Sequence, residues 1–277
     1  MNARRWSIVH LLLTVVLIAW SGLANSGLIF DRGVGGISEI TRNAFTPASW
    51  AFGIWGLIYV ALLMMSVFGV RRAFQSEAPS DFVEQLGWPF ALAQISCAVW
   101  LAVWLLEAVF TSLLVMSILL GSLYFCIRRL HMERWNAPWA VISLVWWPMS
   151  LYFGWITAAW LANLSSFFVY QGFVFPATSA WAIGAAVCLT VVHLALIVRR
   201  NMREASTVAV WALVAVGARH WDAPLSSAVF AATTLCAVVL LGAAGLHGVR
   251  NFTWPPPARR AGASTERSRL TGRSQSA

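Results

Sequence analysis

Between Trp135 and Val198 the chain runs 64 residues without an Asp, Glu or Arg, and it contains no Lys at all. No water-soluble fold can clothe such a stretch, because there is no charged surface to set against solvent. It is long enough for two membrane helices of about 20 residues each, with a turn at Gln171–Gly172 running through Pro176. The remaining charge-free runs are Trp6–Phe30, a second beginning near Pro47 within Asn43–Val70, Gln85–Leu106, Ala108–Ile127, the weak and short Ala205–Ala218, and Ala223–Val249. Together they predict an all-α, polytopic transmembrane bundle of about eight spans. Only 10% of the residues are charged, against about 25% in soluble domains. Trp139–Tyr170 is too long for one upright helix and too short for two, so a tilt or a kink near Pro148 is expected.

Arginine tests the count. With eight spans, 16 of the 19 Arg fall on one side: Arg4 and Arg5, the loops at Arg71, at Arg128 and at Arg199, and the tail. Arg32, Arg42 and Arg219 fall on the other. By the positive-inside rule both termini are cytoplasmic, and a bacterial cytoplasmic membrane is the expected location. The parity also retains the weak Ala205–Ala218 span, without which the Arg-rich tail would lie outside. Cleavage of the first span as a signal peptide would break that parity. The net charge of +9 is thus spent on orientation, and no nucleic-acid partner is expected. Residues 251–277, rich in Arg, Pro and Ser, read as a disordered cytoplasmic tail.

Chemistry-bearing groups are sparse. Cys97, Cys126, Cys188 and Cys236 lie far apart in apolar runs and form no metal spacing. His193 lacks a partner at ligand spacing. Glu107 sits at a hairpin tip and reads either as a solvated turn or as a ligand or proton group. His10 and His247 read as interface residues. No acid–base pair, phosphate loop or metal cluster is present, and no enzyme activity is expected.

The aromatic residues are more telling: 17 Trp stand against 4 Tyr, whereas interfacial belts use both. Phe52, Trp55 and Tyr59 share one helical face near the outer surface, just after Trp50. Trp100 and Trp104 are four apart on the third span. Tyr152, Trp155, Ala159 and Asn163 form a stripe on the fifth, with Ala159 leaving room and Asn163 adding a polar group. Three aromatic walls with few polar groups suit a flat, apolar ligand.

These stripes carry a resemblance. Pro47–Tyr59, PASWAFGIWGLIY, resembles the PPxWxFGxxWxxLY signature of the tryptophan-rich sensory proteins, bacterial relatives of the mitochondrial translocator protein or peripheral benzodiazepine receptor. Leu151–Asn163 is similar to that family's PYxxWxxxAxxLN, and Gln94–Trp104 more loosely to QxxxNxxW. The chain departs from the pattern in lacking the WxxLxKP element, one of the paired prolines and the third-helix Asn, where Cys97 is the nearest counterpart. The resemblance implies a five-helix core over residues 1–170, with three further helices over 171–250. It implies binding of tetrapyrroles such as porphyrin, with no cofactor required but a porphyrin or haem-type guest expected. It also implies a sensing or carrier role. The residues it assigns to the ligand are Trp50, Phe52, Trp55, Tyr59, Trp100, Trp104, Tyr152, Trp155, Ala159 and Asn163, beneath the outward-facing first loop Asp31–Thr46. Family members often dimerise, so a homodimer is one expectation, although the three further helices could cover that surface. A secondary transporter of another small molecule and a structural membrane partner are the competing readings.

Overall fold

In the computed structural model, the described residues are 2–75, 81–133, 137–221 and 227–253. Residues 254–277 of the expected tail, Arg134 and the beginning of the last run at Ala223 lie outside them. The helices in chain order are α1 (Ala3–Ala24), α2 (Val34–Ile40), α3 (Ile54–Gln75), α4 (Asp81–Leu105), α5 (Val109–Arg129), α6 (Trp139–Val141), α7 (Trp147–Tyr170), α8 (Ser179–Arg200), α9 (Arg203–Ala218) and α10 (Ser227–Thr253). Among the described residues, seven helical spans are long and apolar enough to cross a membrane. The expected seventh of eight, α9, is helical but only 16 residues long. The protein is an integral membrane protein built as a helical bundle.

Local chemistry sets the ends. The Asn2 side chain accepts a hydrogen bond from the Arg5 N–H and starts α1, and Thr178 does the same for α8 through Trp181. Asn201, in the left-handed region at φ 56°, stops α8. The long fifth run is resolved by a π-helical turn at Ile142–Trp146 joining α6 to α7. Pro148 offers no N–H to the carbonyl four residues before it. A turn with i→i+5 bonding reaches past that gap without ending the helix.

Five helices close a ring: α1 packs on α3, α3 on α7, α7 on α5, α5 on α4, and α4 back on α1. The other three form a second cluster in which α9 packs on both α8 and α10 and docks the group onto α7. The α7–α9 crossing is close because Gly154 carries no side chain: a Cβ there would stand 2.5 Å from the Ala205 carbonyl oxygen. Beside it, His193 of α8 bridges the two helices, with Nε2 2.9 Å from Thr157 Oγ1 and Nδ1 3.3 Å from Ser206 Oγ. Both ring nitrogens are therefore engaged by hydroxyls.

The bundle has two chemically distinct ends. One gathers the arginines of α1, α3, α5 and α8: Arg4 Nε donates to the Ala73 carbonyl of α3 and Arg129 to the Glu84 carbonyl of α4. The other holds the first loop, where Arg32 and Arg42 lie, and the C-terminal end of α9 with Arg219. Glu107 turns the α4–α5 hairpin at φ 58° and faces Arg32 at 3.8 Å, both side chains about half exposed. It is a turn residue with a surface partner. His10, read from sequence as an interface residue, is instead buried. Its Nε2–H donates to the Gly87 carbonyl at 2.8 Å, where α4 breaks (φ 40°, ψ −137°) two residues before Pro89. The carbonyl freed by that break thus finds a donor on α1.

Candidate functional site

At the first-loop end the ring encloses a cavity. Its sides are Trp155, Ala159 and Asn163 of α7, Trp104 of α4 and Phe52 from the 3₁₀ turn Ser49–Gly53 that precedes α3. Its roof is the first loop, through Ser38 of α2 and Phe45–Pro47. Its remaining wall is Ala212 and Val216 of α9.

The roof is held by hydrogen bonds to groups outside the loop. The Asn25 side chain accepts from the Val34 N–H at 3.0 Å and so starts α2 where α1 has just ended. Trp104 Nε1–H then donates to the Val34 carbonyl at 3.3 Å. Asn43 donates to Ser166 of α7 at 3.3 Å, and the Ala44 N–H to the Pro176 carbonyl at 3.0 Å. On the floor side Asn163 meets Ser112 of α5 at 3.2 Å, which satisfies a polar group that hydrocarbon would otherwise leave bare.

Behind the cavity the rings form one continuous stack. Trp55 lies 5.4 Å from Tyr59 and 6.1 Å from Trp100, both near-parallel, and is set edgewise to Tyr152 and Trp155. Trp100 stacks on Trp104 at 6.2 Å, and Phe52 meets Trp155 edge-on at 6.0 Å. These separations are those of attractive ring pairs. The indole N–H groups of Trp100 and Trp155 are buried with no hydrogen-bond acceptor in reach. Indole N–H groups are usually satisfied when buried, so two orphans in one cluster leave donors free for a guest that carries acceptors.

The structure therefore brings together nine of the ten residues singled out in the sequence: Phe52, Trp104, Trp155, Ala159 and Asn163 on the cavity, and Trp55, Tyr59, Trp100 and Tyr152 in the stack behind it. Trp50 is the exception. Its side chain points away, about half exposed, and packs edgewise on Trp211 of α9 at 4.8 Å. The sequence pattern treats residues 50–59 as one α-helix. Even on such a helix Trp50, two residues before Phe52 and five before Trp55, falls on another side from them, and only the resemblance assigns it to the ligand. The resemblance placed the first loop over the ligand without naming Ser38, Phe45 or Thr46, and the α9 wall, Ala212 and Val216, had no aromatic or charge signal by which to be found.

A family model described as TSPO-like protein matches residues 7–246. The chain belongs to the TSPO-like protein family. The match extends from α1 into α10, so the three C-terminal helices of this TSPO-like protein lie inside it. No curated protein and no solved structure matches the chain.

The cavity holds about 40 Å³. That is room for about three water molecules, whereas sites for drug-sized ligands occupy about 300–1,000 Å³. The aromatic walls are stacked on one another, and any ring-sized guest requires one of the cavity's walls to move. Among the described residues no three His, Cys, Asp or Glu side chains converge as a metal site.

Proposed function

We propose that this TSPO-like protein binds a flat, largely apolar ring molecule of the tetrapyrrole class between the first loop and the aromatic stack, and serves as a membrane sensor or carrier for it. The observation that carries the reading is the convergence of aromatic rings from α3, α4 and α7 on one cavity, with two unpaired indole donors among them. Flat rings present the faces that a macrocycle stacks on. Orphan N–H donors suit its peripheral carbonyl or carboxylate groups. The arginine-rich end faces the cytoplasm in this reading, so the guest enters from the outer side of a bacterial cytoplasmic membrane.

Titration of the detergent-purified protein with protoporphyrin tests it by quenching of Trp fluorescence. Saturable quenching is expected, weakened at least about tenfold by Trp155→Ala or Trp55→Ala and left unchanged by Trp50→Ala, whose ring faces away. Absence of saturation in the wild type, or equal affinities in all three variants, overturns the proposal.

A further inference from the structure

A cavity of about 40 Å³ admits a ring only if some wall moves, and the walls are unequal. Those from α3, α4 and α7 are locked to one another by the ring stack. The wall from α9 is made of small apolar side chains, Ala212 and Val216, with no ring to join the stack.

What ties α9 to the first loop lies in its C-terminal half, where Gly217 also packs closely on Thr233 of α10, so that α9 and α10 move together. Arg219 pairs with Glu39 of α2 and donates to the Pro47 carbonyl at 3.0 Å. His220 bonds the Ala44 carbonyl at 2.9 Å, and the Ala48 N–H donates to the Ala215 carbonyl at 3.0 Å. Trp211 Nε1–H donates to the Ala51 carbonyl at 3.1 Å. Glu39 is substantially exposed. The Glu39 side of this latch is therefore open to solvent, where water can replace the ion pair as it lets go, whereas Ala44, Ala51 and Ala215 are buried.

The opposite end of α9 is different. There Ala205 is pressed against Gly154, and Ser206 against His193, so that end is fixed. At about 1.5 Å per residue, Ala212 and Val216 stand about 10 and 17 Å along the 16-residue helix from Ala205, and a swing of about 20° about that fixed point carries them outward by about 4 and 6 Å. An aromatic slab needs about 3.5 Å between its faces and each wall's carbon atoms, so that swing opens a slot about one ring thick.

The geometry points to α9 as the movable wall of the ligand site. Its latch to the first loop governs entry, and Ala212 and Val216 set the thickness of what is admitted. This rests on the ligand reading above for its purpose, but not for its mechanics. It makes α9 a specificity-determining part of a site whose other residues all lie in the five-helix ring and its loop.

Thiol labelling separates the two. Ala212→Cys is placed in a Cys188→Ala background, which leaves the buried Cys97, Cys126 and Cys236, and is reacted with a small water-soluble methanethiosulfonate while peptide mass spectrometry follows each site. Glu39→Gln or Arg219→Gln is expected to raise the labelling rate at position 212 about fivefold, with Cys126 unchanged and Arg219→Lys retaining the slow rate. Should Ala212→Cys misfold, Val216→Cys serves as the reporter. An unaltered rate at the reporter, or a parallel rise at Cys126, overturns the inference. Protoporphyrin is then added to the latched protein. If the latch variants respond but porphyrin gives no protection at position 212, the movable wall stands and the tetrapyrrole reading falls. Protection without any latch response has the opposite meaning.

Discussion

Replacing Gly154 by Ala adds one methyl group where α7 and α9 cross closely. The new Cβ would stand 2.5 Å from the Ala205 oxygen and 3.1 Å from its carbonyl carbon and Cα. All three are backbone atoms, so no rotamer change relieves the clash. α9 has to withdraw by about 0.5–1 Å, a gap that forfeits a quarter to a half of each dispersion contact along the crossing. Overpacking of this kind costs about 1–3 kcal/mol. The neighbouring His193–Ser206 contact, already 3.3 Å long, breaks as the helices part and removes about 0.5–1 kcal/mol more. A total of about 2–4 kcal/mol is expected. Gly121→Ala is the matched control: it also sits in a long membrane helix, but its added Cβ meets nothing within 4 Å. That change should be neutral or stabilising by up to about 1 kcal/mol, as alanine is the better helix former. Reversible unfolding in mixed micelles, followed by Trp emission, gives both values. If Gly154→Ala is as stable as Gly121→Ala, the close α7–α9 crossing is not what anchors the C-terminal helices, and the reasoning fails.

Two other perturbations read different parts of the molecule. Glu133, in the loop after α5, accepts from Asn201 at 2.9 Å. Burial pushes its carboxyl above the usual range, opposed by the Asn201 bond, while Glu204 raises it further. A folded-state value above the unfolded one means the native state holds the extra proton. This contribution is therefore full below the unfolded value and is lost as pH rises through the folded one. Glu133→Gln should flatten that decline in a melting-temperature series from pH 4.5 to 8, and an unchanged slope would refute the assignment. His193→Leu removes the bridge between α7 and α9 yet leaves Thr157 bonded to the Gly154 carbonyl and Ser206 to Met202. With no donor stranded, the expected cost is about 1 kcal/mol with porphyrin quenching intact, and loss of quenching would show that His193 serves the ligand directly.

The sequence makes the bundle legible because membrane helices announce themselves by what they lack, and the arginines mark which ends lie together. The aromatic stripes are legible for a similar reason: residues three and four apart must share a face wherever the backbone is α-helical. Trp50 lies outside that rule: its spacing leaves it off the face of Phe52, Trp55 and Tyr59, and only the resemblance assigned it to the ligand. His10 shows a second limit. Its burial answers a break in α4 seventy-seven residues away, and a single histidine in an apolar run carries no mark of that partner. The α9 wall shows a third, because alanines and a valine look alike whether they face lipid, a neighbour or a cavity.

The shortness of α9 also bears on how the chain is assembled. About 24 Å of helix does not bridge a hydrocarbon layer of about 30 Å, and Arg203 and Glu204 sit at its start. Such a segment is a poor candidate to partition into lipid alone as it leaves the ribosome. The surface it needs, with Gly154 and Thr157 of α7, is complete once synthesis passes Tyr170. Two kinds of segment follow from this, the long apolar helices, α8 and α10 among them, that insert by their own hydrophobicity, and α9, which is drawn in by the ring already standing there.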